Sequence, residues 1–125
     1  MTATPATARH TAEEYVRAWL GGDAEKALSF VADEVVCEAP GRRIEGLTAY
    51  REFLAPFVGR LIGGQLTDIL VGDDAHAATV YTVDLPFIKA FRGMEYLTVK
   101  DGRITEVVSV FDRTPIIDAG ARPKG

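Results

Sequence analysis

Two carboxylates in the C-terminal third of the chain have the type and spacing for acid/base chemistry. Glu95 stands where strand alternation calls for an apolar side chain. Phe91, Gly93, Leu97 and Val99 share its parity, while Arg92, Met94, Tyr96, Thr98 and Lys100 take the other face. An acid on the more apolar face is either satisfied by a partner or kept for chemistry. Asp84 lies one strand earlier. A hairpin turning about Lys89-Ala90 would set Asp84 opposite Glu95. Two carboxylates side by side in a low-dielectric site cannot both ionise comfortably, so one would hold its proton near neutral pH and the pair could act as donor and acceptor. A register one residue different sends Asp84 to the opposite face, and no Asn-Gly or Asp-Gly pair fixes the turn.

Other chemistries find less support. Cys37 has no histidine near it in sequence; His10 and His76 are the only two. Cys37 therefore reads as a buried, inert thiol rather than a nucleophile. Residues Gly41 to Gly46 have P-loop glycine spacing, but Leu47 follows where that loop requires lysine. No His/Cys/Asp/Glu set has metal-ligand spacing and no dinucleotide fingerprint occurs, so neither a metal nor a cofactor is expected.

The elements that must position Glu95 follow from periodicity. Residues Met1 to His10 read as a flexible arm, and Thr11 with Glu14 has the form of a capping box. The first helix puts Tyr15, Ala18 and Trp19 on one face and ends at Gly21-Gly22. Asp23 caps a second helix over Ala24 to Val31. Strands are expected over Val35 to Ala39 and Arg42 to Glu45, around the turn residues Pro40-Gly41. A third helix runs from Leu47 to Ile62, with a kink or break at Pro56. Four strands then follow, over Gln65 to Val71, Ala77 to Leu85, Phe91 to Lys100 and Arg103 to Asp112. Helices first and antiparallel strands last make the fold α+β, one domain over residues 11–114 with a tail over 115–125. A two-residue turn at Asp101-Gly102 would put Val108, Val110 and Asp112 on the face of Glu95; a three-residue loop would put Val107, Ser109 and Phe111 there.

Composition narrows the partners. The 125 residues carry a net charge of −4, and the only dense basic spot is Arg42-Arg43, so no nucleic-acid partner is expected. No apolar run is long enough to span a membrane, and the N-terminus has no signal-peptide h-region. One cysteine fits a reducing cytoplasm. Several strands are apolar on both parities, so one face would cover a core or pocket and the other would meet a second subunit, giving a homodimer.

The chain resembles the nuclear transport factor 2-like superfamily, in its SnoaL-like and steroid delta-isomerase-like branch. The residues that carry the resemblance are Tyr15-Val16-Arg17-Ala18-Trp19, Gly22-Asp23, Phe30 to Val35, Gly46 with Arg51-Glu52-Phe53, and Lys100 to Ile104. It spans residues 11 to 113. It implies a cone-shaped α+β barrel, a curved and mainly antiparallel sheet wrapped around three N-terminal helices, with an internal pocket and often a dimer. By resemblance Tyr15 is an oxyanion-binding hydroxyl and Glu95 sits at an acid position. The base position of the steroid isomerases is Ala39 and a further tyrosine position is Leu54, so both groups are missing. Against the Asp–Arg–Asp relay of limonene-type epoxide hydrolases, Asp84 matches one acid and Thr82 and Ser109 stand at the other two places. The resemblance also favours the three-residue loop, which makes Asp112 an outer residue.

The expected function is a cofactor-independent isomerase or polyketide-type cyclase acting on a small hydrophobic carbonyl compound. Glu95, Asp84 and Tyr15 are its expected catalytic residues. Trp19, Cys37, Ala39, Phe53, Leu54, Phe57, Val80, Thr82, Leu97, Val107, Ser109 and Phe111 are the expected pocket wall. The alternatives are a non-catalytic binding or dimerisation module and an epoxide hydrolase.

Overall fold

A computed structural model describes residues 8–115. In chain order the elements are α1 (Ala8–Leu20), α2 (Ala24–Leu28), β1 (Val31–Ala39), β2 (Arg42–Glu45), α3 (Leu47–Arg60), β3 (Gly63–Asp73), β4 (His76–Leu85), β5 (Ile88–Lys100) and β6 (Arg103–Phe111). The strands form one curved, unclosed sheet in the order β2-β1-β6-β5-β4-β3. Every neighbouring pair is antiparallel except β1 with β6. Helix α1 packs across β3, β4 and β5, and α3 across β1 and β2. The core lies between these helices and the sheet face that carries Tyr81, Val83, Phe91, Leu97, Val99, Ile104 and Val107. The α+β cone expected from the sequence is thus the fold observed. No helix among the described residues is long and apolar enough to cross a membrane.

Element boundaries shift where tertiary contacts outweigh local signals. Helix α1 already includes Ala8 to His10, which were expected in the arm; residues 1–7 and the tail over 116–125 lie outside the described region. Ala8, Ala12, Tyr15 and Trp19 extend one buried face upstream, and the Ala8 N–H donates to the Asp74 carbonyl at 3.1 Å. Thr11 is therefore a buried helical residue and not a cap. Helix α2 keeps its Asp23 cap, which accepts from the Lys26 N–H at 2.9 Å, but stops at Leu28. Val31 is captured by β6, where it pairs with Ile104, so the β-branched residue joins the sheet and not the helix. Pro56 does not break α3. Pro56 and Glu52, whose carbonyl loses its helical partner, both face solvent, so water can serve the freed group.

The β4–β5 hairpin departs most from expectation. Its turn is Pro86-Phe87, with Leu85 paired to Ile88. Lys89-Ala90 instead form a bulge opposite Asp84, since Val83 pairs with Phe91. Ala90 takes φ 54°, and the Asp84 carboxylate accepts the Ala90 N–H at 2.8 Å. Glu95 consequently faces Thr79, not Asp84. Parity in β4 is inverted: Ala77, Thr79, Tyr81, Val83 and Leu85 are buried, while Val80, Thr82 and Asp84 occupy the outer face.

The β5–β6 hairpin reaches the face expected from the resemblance by another route. Asp101 and Gly102 both have positive φ and form a two-residue turn closing Lys100 onto Arg103. A bulge at Thr105 then shifts the register by one, so Glu95 pairs with Ser109 and Leu97 with Val107. Asp112 lies outside the site and accepts the Thr114 N–H. Because Asp84 serves the bulge, Asp84→Ala is expected to lower stability by about 1 kcal/mol in denaturant titration while leaving the titration of Glu95 in place.

Candidate functional site

The sheet face beneath α1 and α3 holds Glu95 at the floor of a cavity of about 490 Å³. Trp19, Phe53, Leu54, Phe57, Phe91 and Phe111 make most of its wall, with Ala39, Tyr81 and Ser109 beside them. Pro40, Gly41, Arg42, Arg60 and Arg113 complete the lining. Glu95 is only 5% exposed.

Helix α1 supplies the groups that hold the carboxylate. Tyr15 and Trp19 lie one turn apart, so both reach β5. The Tyr15 hydroxyl donates to Glu95 Oε2 at 3.3 Å, and the Trp19 indole N–H donates to Oε1 at 3.3 Å. Tyr15 is itself bonded to the Tyr50 hydroxyl from α3. Burial raises the Glu95 pKa to about 7, and the Trp19 and Tyr15 hydrogen bonds hold it from rising further. Desolvation is the larger effect, so the carboxyl group is poised between its two protonation states at neutral pH. The same burial, with the charge of Glu95 as the next cause, pushes the Tyr15 and Tyr50 hydroxyls well above the usual phenol range and keeps them neutral donors. Cys37 rises to about 12, first from burial and then from Glu95, which makes it an inert thiol.

Cross-strand neighbours complete the surroundings. Thr79 on β4 and Ser109 on β6 flank Glu95 in register. The buried Thr79 hydroxyl has no hydrogen-bond partner among the described residues. Tyr81 packs edge-on to Trp19, with ring centroids 4.8 Å apart, and lies over Gly93. A Cβ at Gly93 would collide with the Tyr81 phenol, so glycine is what admits that ring beside Glu95. Burial raises the Tyr81 pKa, with Glu95 adding to the shift and Ser109 opposing it.

Of the residues expected at the site, Glu95, Trp19, Ala39, Phe53, Leu54, Phe57, Ser109 and Phe111 line the cavity. Tyr15 does not; it stands behind the carboxylate, so its position is that of a support and not of an oxyanion contact. Cys37, Leu97 and Val107 are core residues outside the lining. Asp84, Val80 and Thr82 are on the wrong face for the register reason given above. Sequence reasoning missed Tyr81, Phe91 and the three arginines, and it missed that Tyr50 on α3 supplies the second hydroxyl of the Tyr15 pair. Phe91 was discoverable from its shared parity with Glu95 on β5, and Tyr81 once the β4–β5 register was known. Among the described residues no group of three or more potential metal ligands occurs.

The SnoaL-like domain model matches residues 12–107, most of the chain. The chain belongs to the SnoaL-like family. A crystal structure of a protein from Kribbella flavida DSM 17836 is 38% identical, with TM-score 0.85 over 94% of this chain and 95% of that one. A candidate ketosteroid isomerase from the same organism is 24% identical, with TM-score 0.75 over 98% and 87% of the two chains. A candidate polyketide cyclase from Xanthomonas campestris pv. campestris is also 24% identical, with TM-score 0.67 over 86% and 91%. The last two share the fold of this SnoaL-like domain. Among proteins of curated function none matches this sequence significantly.

The Glu95 environment sets a pH dependence. Its folded pKa of about 7 exceeds the unfolded value near 4.3, so the folded state binds the proton more tightly. Stability should therefore be greatest below about pH 4 as far as this group is concerned, and fall by roughly 4 kcal/mol as pH rises through 7. Denaturant midpoints across this range should lose that component in Glu95→Gln, and Tyr15→Phe should move the Glu95 NMR titration to higher pH. A midpoint near 4.3 for Glu95 in the native protein would contradict the desolvated site.

Proposed function

We propose that this SnoaL-like domain is a cofactor-independent enzyme of the isomerase or cyclase type, acting on a small, mainly hydrophobic carbonyl compound. The observation that carries the reading is Glu95, the only carboxylate on the cavity wall among the described residues, buried and poised near neutral pH. The ionised carboxylate takes a proton from the carbon next to the ligand carbonyl, breaking the C–H bond and leaving an enolate. In this reading Tyr81, which lines the cavity with Glu95, donates its hydroxyl to that oxygen. The neutral Glu95 then returns its proton to another carbon, which isomerises the substrate. Alternatively the enolate carbon attacks a second carbonyl, which closes a ring, and the new alkoxide takes the proton. Tyr15, Tyr50 and Trp19 act through Glu95 as positioning residues. The likeness to a candidate ketosteroid isomerase and a candidate polyketide cyclase supports both outcomes through a common enolisation. The single free thiol supports a cytosolic location.

Solvent deuterium exchange at the activated carbon of a cyclic β,γ-unsaturated ketone tests this step without knowing the natural substrate. Exchange should be lost at least a hundredfold in Glu95→Gln while calorimetric binding of the ketone persists. Exchange in the variant at the native rate would refute the role of Glu95, and exchange by the native protein no faster than in buffer would leave a non-catalytic binding module as the surviving reading.

We also infer a homodimer across the outer sheet face. Met94 pairs with Val110 and Tyr96 with Val108 there, and all four are exposed. Sedimentation at micromolar concentration should give twice the chain mass, and Val110→Glu should shift it toward the monomer. A monomeric native protein would refute the interface.

A further inference from the structure

We propose that the mouth of the cavity is an anion site, so that the ligand is an amphipathic acid: an apolar skeleton bearing a carboxylate or comparable oxyanion that Arg42, Arg60 and Arg113 hold at the rim. This deepens the proposed function and rests on its cavity, but not on its proton transfer.

The three arginines converge from different elements. Arg42 opens β2, Arg60 lies in the last turn of α3, and Arg113 follows β6. All three are exposed, whereas Glu95, Trp19 and Tyr81 on the same wall are buried. The charges therefore stand at the open end and the titratable acid at the closed end. Among the described residues no lysine lines the cavity, and Glu95 is the only acid that does.

These arginines also differ from others on the surface. Arg17, Arg43 and Arg51 are committed to Glu13, to Glu38 and Glu45, and to Glu25. None of the three at the mouth forms an ion pair among the described residues. The Arg42 guanidinium lies over the Phe53 ring, 5.6 Å from its centroid, a contact that holds it at the cavity edge. Arg113 Nη1 donates to the Pro40 carbonyl at 3.1 Å, and Gly41 beneath it has no Cβ to obstruct the guanidinium. One of five donors is thereby used and the fork remains available. Guanidinium forks match the geometry of an oxyanion.

The overall charge of −4 disfavours an anion at an arbitrary surface, which makes three positive groups around one opening a local reversal. The polarity also sets the orientation. An anion at the floor would face the Glu95 carboxylate, so the acid group of the ligand must point outward and its carbonyl inward.

The test compares 4-(1-pyrenyl)butyrate with its methyl ester, which share a skeleton and differ in charge. The carboxylate should bind the native protein at least tenfold more tightly than the ester, measured by pyrene fluorescence and calorimetry at neutral pH. Added salt should narrow the difference. Arg42→Gln with Arg60→Gln changes two exposed side chains and should remove most of the preference while leaving ester affinity within about twofold. Arg113→Gln, added third because Arg113 also holds the Pro40 turn, should remove the rest. Equal affinities in the native protein, no binding of the carboxylate, or a preference that survives the triple variant would overturn the proposal. The preference is a ratio of binding affinities and needs no proton transfer by Glu95. A failed deuterium-exchange experiment would thus sink the proton transfer alone, and a missing preference would sink the anion site alone.

Discussion

A carboxyl group taken out of water inside an apolar cavity is the constraint on which the rest of the site depends. Removing Glu95 from solvent raises the cost of its charge, and the Tyr15 and Trp19 donors return only part of it. The balance leaves a group that can exist in either form near neutral pH. Keeping that balance requires α1 to lie across β5 at a fixed rotation, because the two donors are successive turns of one helix. It also requires α3 to approach, because Tyr50 bonds the hydroxyl of Tyr15. The helices, the sheet and the cavity floor are tied together through a few buried polar atoms. Misplacing any one of them would leave a charge unpaired in a low-dielectric site.

Much of this was legible in the sequence, and the reason is local. The parity argument for β5 needs only the strand itself: an acid alternating with Phe91, Leu97 and Val99 must share their face. The helix face of Tyr15 and Trp19, the Asp23 cap and the α+β order likewise follow from short-range pattern. Where the pattern concerned two strands, it did not suffice. Which residues oppose Glu95 depends on where the chain turns and on each bulge, and a single extra residue inverts a strand. In β4 that inversion exchanged Thr79 and Tyr81 for Val80, Thr82 and Asp84. In β6 a bulge at Thr105 produced the same face that a longer loop would have given, so the face was right although the turn was not.

The bulge at Lys89-Ala90 illustrates why sequence could not decide. Ala90 lacks the glycine signature of a left-handed residue, yet takes φ 54° with its N–H held by Asp84. The carboxylate that looked like a catalytic partner is instead part of the device that fixes the register and leaves Glu95 without a second acid. Tyr50 was hidden for a different reason. An aromatic at helical spacing reads as core, and only the tertiary fold brings the Tyr50 hydroxyl on α3 to Tyr15 on α1.

A site with one acid constrains the chemistry it can support. Opening an epoxide with water asks for a base on the water and an acid on the leaving oxygen in the same step, and Asp84 is not present to share that work. Moving a double bond or closing a ring through an enolate makes a lighter demand. The same group removes a proton and later returns it, and the reaction begins and ends with Glu95 in one protonation state. Such a shuttle works best when neither form is strongly favoured, which is the condition that burial and two donors create at Glu95. In the proposed reaction the missing base at Ala39 is then no obstacle, because one carboxyl group on β5 would serve as base and acid in turn.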